Sequence, residues 1–259
     1  MSLFAPIDGW LAPLPPQGKI GWIAGTAFAH RGLHGADAAE NSPRAFAAAI
    51  ARGLGIECDI QLSADGQAMV FHDWELDRLT QESGPVADRS AAQLGAIRLG
   101  GTADTIPTLP QLLDAVAGRV PLLIEVKSKR GMRVAPVCRA VRDALDGYHG
   151  HHAVMSFDPR IPRWFADHSP QTVRGLVVTE EDDTGFLGGF AGALRRHLWL
   201  WLARPHFLAY DIRDLPSRFA AAQRRRGIPV ATWTVRSPEL LERAAIHADA
   251  PIAEGAGIA

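Results

Sequence analysis

The sequence predicts an α/β fold of the TIM-type (β/α)8 barrel class. Short apolar runs alternate with helical segments along most of the 259 residues, a pattern typical of a parallel sheet covered by helices. The number of strand and helix segments fits eight barrel units. Barrels of this length routinely form one domain, so we expect a single domain over residues 1–259.

The first elements are predicted from turn and cap residues. Residues 1–25 are rich in Pro and Gly, with prolines that break helices, and we expect them to form a lead-in that packs over one end of the core. Residues 26–30 predict a buried strand. Residues 44–52 predict a helix that follows a cap residue and a proline and ends before a glycine. Residues 56–62 and 68–71 predict two strands joined by a turn too short for a helix.

A polar stretch over residues 74–108 follows the strand that ends in His72 and Asp73. It has no strong periodicity, so we expect an insertion within the barrel that contains only short helical turns. Such long excursions in compact domains usually serve function. The alternation then resumes at residues 109–116 with a helix, residues 120–126 with a strand and residues 133–145 with a helix.

The remaining segments keep the same order of strand and helix. They are predicted at residues 152–155, 160–167, 173–178, 186–203, 207–210, 217–226, 229–234, 238–245 and 250–253. The total is nine strand candidates for eight barrel positions. The extra strand therefore lies in the hairpin of residues 56–71 or at the C-terminus, or one segment is not a strand.

Composition and charge argue against two classes of protein. A formal net charge of -1 and a pI near 6.8 lack the basic excess of a general nucleic-acid binder. The N-terminus lacks the basic and continuous apolar regions of an export signal, and two cysteines require no disulfide. We therefore expect a cytoplasmic protein. Residues 186–203 are apolar, but charges at their centre argue against a membrane span.

The segment of residues 186–203 carries an apolar stripe at helical spacing that we expect to face the sheet. The stripe consists of Leu187, Phe190, Ala191, Leu194, Leu198, Trp201 and Leu202. Trp199 and Leu200 would then lie on the other side, near Arg195 and Arg196. That side is an ordinary outer helix face, a self-association surface or a peripheral contact with a membrane.

Three carboxylates are expected at strand ends. Glu57 and Asp59 share one face of a strand because they are two residues apart, and Glu125 and Lys127 do the same on a later strand. Strands of a covered parallel sheet are buried on both sides, and a buried unpaired carboxylate is costly. The three acids therefore predict a bound cation, and oxygen ligands favour Ca²⁺ or Mg²⁺ over Zn²⁺.

Two histidines follow apolar runs in the same region. His30 and Arg31 end the run of residues 26–29, and His72 and Asp73 end another. An imidazole titrates near neutral pH and serves as general acid or base, and the planar guanidinium of Arg31 suits phosphate oxygens. Trp233, at the end of a later strand, either forms a wall of the site or packs in the core.

Taken together in their order and spacing, these fragments resemble one family over residues 26–254, the glycerophosphodiester phosphodiesterases, which share a barrel with phosphatidylinositol-specific phospholipases C. The resemblance rests on His30-Arg31-Gly32, Glu40-Asn41-Ser42, Glu57-Cys58-Asp59-Ile60-Gln61-Leu62 with Asp65-Gly66, Val70-Phe71-His72-Asp73, Glu125-Val126-Lys127, Ser156-Phe157 and Trp233-Thr234. The family's last strand usually ends in Thr-Asp, whereas this chain has Ala253-Glu254.

The resemblance implies a role for each matched position. A divalent cation would be held by Glu57, Asp59 and Glu125, while Glu40 would support the site from outside. The catalytic pair would be His30 and His72. The groups that bind the phosphate or the rest of the substrate would be Arg31, Lys127 and Trp233. The nucleophile would be the glycerol 2-hydroxyl, acting through a cyclic phosphate.

The main hypothesis is a metal-dependent phosphodiesterase that hydrolyses glycerophosphodiesters to glycerol 3-phosphate and an alcohol. One alternative is a lysophospholipase D-type enzyme that acts on lysophospholipids at a membrane surface. Another is a barrel that binds ligands without catalysis. The amidohydrolase type is disfavoured because the first strand lacks a His-x-His pair. Four points stay open: the leaving alcohol, the choice between Ca²⁺ and Mg²⁺, which histidine is the acid and which the base, and the oligomeric state.

Overall fold

A computed structural model describes residues 5–15, 17–181 and 185–258, so positions 1–4 and 16 of the predicted lead-in lie outside the described residues. The chain divides into two compact units. The first is Phe28–His152, and the second combines the residues before Phe28 with those from Ala153 onward. The single domain predicted over residues 1–259 stays a prediction.

Nine strands are described, and their bounds agree with the predicted segments to within a few residues. They are β1 (Phe28–Ala29), β2 (Gly55–Leu62), β3 (Ala68–Val70), β4 (Leu122–Val126), β5 (His152–Ser156), β6 (Val173–Val178), β7 (Phe207–Asp211), β8 (Val230–Val235) and β9 (Ala250–Ala253).

Ten α-helices occur among the described residues, mostly between successive strands. They are α1 (Ala5–Leu11), α2 (Gln17–Ile20), α3 (Pro43–Ala51), α4 (Ala91–Leu94), α5 (Leu109–Val116), α6 (Ala135–Leu145), α7 (Arg160–His168), α8 (Gly185–Ala203), α9 (Arg218–Arg226) and α10 (Pro238–His247).

Pairing within each unit explains the surplus strand. In the first unit β2 lies parallel to β1 and β4, and it pairs antiparallel with β3. In the second unit β5 to β9 pair in chain order, all parallel. The hairpin strand β3 is therefore the extra one. Eight parallel strands that alternate with helices define the (β/α)8 barrel, and the predicted fold class is confirmed.

The predicted insertion has a small core of its own. It contains a 3-10 helix (Val86–Asp88) and α4, whose first turn is closed by a capping box between Ser90 and Gln93. A buried apolar cluster ties the insertion to the residues around β3; it consists of Met69, Phe71, Leu76, Val86, Leu94, Ile97, Leu99 and Ile106. Burial of these side chains keeps the long stretch ordered.

The lead-in is more helical than its prolines predict. Helix α1 ends at Leu11, before Pro13, and α2 begins at Gln17, so Pro13 and Pro15 lie between two short helices. Asp8 of α1 is buried and accepts hydrogen bonds from His197, Trp201 and Gln223, each at 2.8 Å. Hydrogen bonds to a charged acceptor are strong when buried, and they anchor α1 to α8 and α9.

The predicted orientation of α8 is wrong for most of its apolar stripe. Phe190, Leu194, Leu198 and Leu202 are exposed, whereas Leu200 is fully buried. The reason is polar anchoring of other positions: His197 and Trp201, the latter itself a member of the stripe, bond Asp8, and Arg196 is buried next to Glu180 (Nη2 to Oε2, 3.5 Å). Trp199 is half-buried, so the expected exposed Trp199–Leu200 pair does not form. The side chain of Leu187 lies outside the described residues.

The two cysteines form no disulfide with each other. Cys58 and Cys138 are free and buried, as the sequence permits.

Over the described chain, each helix is too short or too polar to serve as a bilayer span.

Candidate active site

The candidate site lies in the unit Phe28–His152 and starts where β1 ends. His30 and Arg31 follow this strand directly, and Arg31 has a left-handed backbone (φ 56°) that lets the chain turn sharply. Gly32 follows with φ 78°, and a Cβ there would lie 2.9 Å from Ala45 of α3. Glycine therefore allows the close approach that fixes the position of the two side chains before it.

The three predicted acids are brought together by strand register. Glu57 and Asp59 share a face of β2, and Asp59 is paired with Glu125 on the neighbouring parallel strand β4. Their carboxylate oxygens lie within 4.8 Å of one another, and all three residues are buried. The predicted convergence of Glu57, Asp59 and Glu125 is therefore present in the structure.

Two cationic side chains contact these acids. The Lys127 ammonium lies 2.8 Å from Asp59 Oδ1 and 2.7 Å from Glu125 Oε1. Arg31 donates its backbone N–H to Glu57 Oε2 at 3.0 Å and places Nε 3.4 Å from Asp59 Oδ2. His30 Nε2 lies 4.0 Å from the same Glu57 oxygen. The predicted phosphate-binding groups and one predicted histidine thus border the acid cluster.

Burial and these charges act on the acids in opposite directions. Burial raises the pKa of Glu57 well above its usual value, and the charges of Asp59 and Glu125 raise it further. Burial also raises the pKa of Glu125 despite the contact with Lys127. For Asp59, burial is outweighed by Lys127, His72 and Arg31, which hold its pKa below the usual range. A cation bound here would favour the ionised form of all three acids.

His72 lies two residues after β3, the second strand of the hairpin. Its Nδ1 lies 2.6 Å from Asp73 Oδ1, so Asp73 orients the ring, and this leaves Nε2 for other contacts. Gln61, on the same face of β2 as Glu57 and Asp59, donates to the backbone carbonyls of Phe71, His72 and Asp73. Sequence analysis assigned no role to Gln61, although its two-residue spacing from Asp59 was a usable signal.

A chain of ion pairs joins Arg31 to His72 through the insertion. Arg31 Nη1 bonds Glu40 at 2.7 Å, Arg78 Nη2 bonds the same Glu40 oxygen at 2.7 Å, and Arg78 also bonds both oxygens of Asp73. Although burial opposes it, Arg78 and Arg31 lower the pKa of Glu40. Sequence analysis missed Arg78 because only the fold brings the insertion back to Asp73.

Asn41 is a second residue whose role sequence analysis missed. It is fully buried with φ 55°, and its amide donates to Asp59 Oδ2 at 2.9 Å. Its Oδ1 accepts the backbone N–H of Asp59 at 3.4 Å. Asparagine tolerates the left-handed conformation better than most residues. Asn41 therefore fixes the orientation of one predicted metal ligand, and Ser42, not Asn41, caps α3.

Trp233 belongs to the other compact unit. Its Nε1 donates to the Ala209 carbonyl at 2.9 Å, and its ring packs edge-on against Phe157 with the centroids 5.4 Å apart. It is partly exposed. Its predicted place in the substrate site stays a prediction.

We expect Arg78 to act as a positioning residue for His72. Replacing it (Arg78→Met) should lower kcat roughly tenfold to a hundredfold, as for other groups that orient active-site ligands, and should shift the pH profile of kcat because Asp73 loses its partner. Kinetics across pH measure both effects. Arg78→Lys should restore part of kcat.

The matched control is Arg89→Met, because Arg89 lies in the same insertion and pairs with Glu82 at 3.2 Å. Equal losses in Arg78→Met and Arg89→Met would show that the insertion merely needs its arginines to stay folded.

Fold and site together define a class: a (β/α)8 barrel with acidic, imidazole and guanidinium groups at the ends of its strands, where barrel enzymes place their chemistry. Comparison with known proteins narrows this class. A sequence model of the glycerophosphoryl diester phosphodiesterase family matches residues 30–253. The chain therefore belongs to this family. The predicted resemblance is confirmed.

Curated relatives agree with this assignment. A glycerophosphodiester phosphodiesterase of Caldanaerobacter subterraneus is 33% identical over 226 residues, which are 83% of this chain and 88% of that protein. One from Bacillus altitudinis is 36% identical over 136 residues, covering 49% of this chain and 55% of the relative. A putative one of Bacillus subtilis is 38% identical over 107 residues, covering 39% and 44%. The chain thus matches about half the length of the latter two.

Solved structures share the fold. A phosphodiesterase of Oleispira antarctica, in complex with its product sn-glycerol-3-phosphate, superposes with a TM-score of 0.76 at 22% identity, covering 89% of this chain and 93% of that one. A glycerophosphodiester phosphodiesterase of Thermotoga maritima gives 0.68 at 24% identity, covering 88% and 94%.

Proposed function

We propose that this chain is a metal-dependent phosphodiesterase that hydrolyses glycerophosphodiesters to glycerol 3-phosphate and an alcohol. The observation that carries the proposal is the convergence of Glu57, Asp59 and Glu125 within 4.8 Å, next to Arg31 and Lys127. Family membership supports the reaction class, and the product bound to the Oleispira relative supports glycerol 3-phosphate as the product here.

The acid cluster fits a divalent cation. It offers three buried carboxylates, and burial, together with the charges of Asp59 and Glu125, raises the pKa of Glu57, so its ionised form needs a further positive charge nearby. Glu57, Asp59 and Glu125 would hold the ion, and oxygen donors suit Ca²⁺ or Mg²⁺. When bound, the ion supplies positive charge that polarises a phosphate oxygen. Asn41 keeps Asp59 oriented toward the cluster.

Arg31 and Lys127 are the groups we assign to the phosphate. Both lie on the acid cluster, so a phosphodiester placed there would meet donors from two sides. Donors that are already in place when negative charge develops lower the barrier most. Glu40 holds the Arg31 guanidinium at 2.7 Å and thereby limits its rotation.

His30 and His72 are the groups we assign to proton transfer. One imidazole takes the proton of the attacking hydroxyl while that oxygen bonds to phosphorus. The other gives a proton to the oxygen of the departing alcohol as its bond to phosphorus breaks. Asp73 keeps the His72 ring oriented through Nδ1, and His30 lies beside Glu57.

A lysophospholipid substrate is the second candidate. The observation that favours it is the number of exposed apolar side chains on α1 and α8, which is unusual for a protein that meets only water-soluble substrates. The catalytic assignments would be the same, since both substrates present a phosphodiester next to glycerol.

A substrate panel tests the proposal. We expect the purified protein to release glycerol 3-phosphate from glycerophosphocholine, glycerophosphoethanolamine or glycerophosphoglycerol with Ca²⁺ or Mg²⁺, and to lose this activity with chelator. Release of lysophosphatidic acid from micellar lysophospholipid would favour the second candidate. Binding of glycerol 3-phosphate without turnover of any substrate would instead indicate a binding barrel and contradict the proposal.

A further inference from the structure

Most exposed large apolar side chains of the described chain lie on two helices that pack together. Asp8 of α1 bonds His197 and Trp201 of α8, and the apolar residues flank these contacts. We call this the α1–α8 surface; it consists of Ile7, Trp10, Leu14, Phe190, Leu194, Leu198 and Leu202. Trp10 is 81% exposed and Phe190 is 65% exposed. A grouping of this kind marks an interaction site.

The charge of the same segments is one-sided. Residues 9–36 and 185–210 contain no Asp or Glu, although the whole chain has a net charge of -1. The one carboxylate at the contact of the two helices, Asp8, is buried and satisfied by its donors. The exposed apolar side chains are therefore accompanied by cations in their own segments.

A basic cluster adjoins the C-terminal end of α8. It consists of Lys19, Arg174, Arg204 and His206, and hydrogen bonds to backbone carbonyls hold it together. The exposed carboxylate of Asp167 acts on Arg174 and Arg204 but pairs with Arg163 at 2.8 Å, so the cluster keeps an excess of positive charge. Arg174 Nε donates to the Arg204 carbonyl at 2.9 Å, and the backbone N–H of His206 donates to the Arg174 carbonyl at 2.7 Å. Lys19 Nζ donates to the Pro170 carbonyl at 3.4 Å. Arg204 follows Leu202 by two residues and is exposed, so the cluster continues the α1–α8 surface.

His206 is buried within this cluster and reports its positive charge. It is 6% exposed, and its Nδ1 makes no hydrogen bond within the described part of the chain. A buried polar atom without a partner is costly. Burial and the charges of Arg174 and Lys19 lower the pKa of His206 to about 3, because the positive charges around the ring disfavour a further one.

We propose that the α1–α8 surface and its basic cluster dock this protein on an anionic phospholipid membrane. The apolar side chains, Trp10 above all, would enter the interface between head groups and acyl chains, while the cluster would bind lipid phosphates. A second copy of the chain is the less favourable occupant, because a two-fold contact through this surface would bring two basic clusters together. The proposal does not depend on the catalytic assignment.

Vesicle flotation tests the proposal. We expect wild-type protein to float with phosphatidylcholine vesicles that contain phosphatidylglycerol, to float less as salt is raised, and to bind pure phosphatidylcholine weakly. Trp10→Ser with Leu198→Gln should lower the bound fraction about tenfold or more, because two apolar side chains no longer enter the interface. Lys19→Gln with Arg204→Gln should remove the preference for the anionic lipid.

The matched control is Ile246→Gln, because Ile246 is 68% exposed on α10 of the same compact unit but lies outside the α1–α8 surface. It should float like the wild type. Circular dichroism and melting temperature confirm that each variant is folded.

Four results would overturn the proposal. One is wild-type protein that stays unbound on anionic vesicles at low salt. Another is an equal loss of binding in Ile246→Gln. The third is wild-type protein that binds no vesicles but forms a concentration-dependent dimer, and a Leu198→Gln variant in which this dimer dissociates. That result would identify a second copy of the chain as the occupant. Inorganic phosphate that stabilises the protein without vesicle binding would show that the cluster takes a free anion only and would also overturn it.

Discussion

Replacing His30 or His72 with alanine is expected to lower kcat for glycerophosphodiester hydrolysis by about 10²- to 10⁴-fold. Each imidazole is the proposed donor or acceptor of one proton in the reaction, and His30 and His72 lie at the ends of different strands, so neither substitutes for the other. Steady-state kinetics at saturating metal and substrate measure the loss.

Substrates with different leaving groups then separate the two roles. A nitrophenyl ester needs no protonation as it departs, so the variant that lacks the general acid should recover most of its rate on that substrate. The variant that lacks the base should not. His149→Ala is the matched control, since His149 is exposed and lies outside the site. Turnover near the wild-type rate in either His30→Ala or His72→Ala would refute the assignment.

Glu57→Gln is expected to abolish the metal-dependent rate, a loss of about 10²- to 10⁴-fold if the ion contributes several kcal/mol to the barrier. Burial raises the pKa of Glu57, so a neutral group at this position should suit the folded protein when the ion is not bound. Glutamine should therefore preserve the fold and remove one ligand, whereas changes at Asp59 would also remove one of the two carboxylates that pair with Lys127.

Metal binding gives a readout that does not depend on turnover. A ligand at a hundred times its Kd stabilises the folded state by about 2.7 kcal/mol, so Ca²⁺ or Mg²⁺ should raise the Tm of the wild type by several degrees and that of Glu57→Gln hardly at all. Glu82→Gln, which changes an exposed acid of the insertion, should behave like the wild type. An equal rise in Tm for Glu57→Gln would mean that the ion binds elsewhere.

Sequence patterns predicted most of the barrel and of the site because the signals are local. The elements follow from three local signals, none of which depends on distant residues. They are the alternation of strand and helix segments, the proline after the cap of α3, and the turn residues between β2 and β3. The two-residue spacing of Glu57 and Asp59 placed both carboxylates on one face, since side chains alternate along a strand. Their convergence with Glu125 followed from the fold class.

Other features depended on contacts between distant segments. Arg78 reaches Asp73 and Glu40 because the insertion folds onto its own apolar cluster, and no local pattern encodes that return. The exposed side of α8 was likewise mispredicted, because an apolar stripe ordinarily faces the core. Here, the buried carboxylate of Asp8 holds His197 and Trp201 inward.

The sequence by itself therefore determined the class of fold, the family and the main chemical groups, through residue types and spacings that act over a few positions. The tertiary structure decided which side chains orient those groups and which face of α8 is exposed. The physical reason is that buried polar side chains must find partners wherever the chain brings them, and those partners lie far away in sequence.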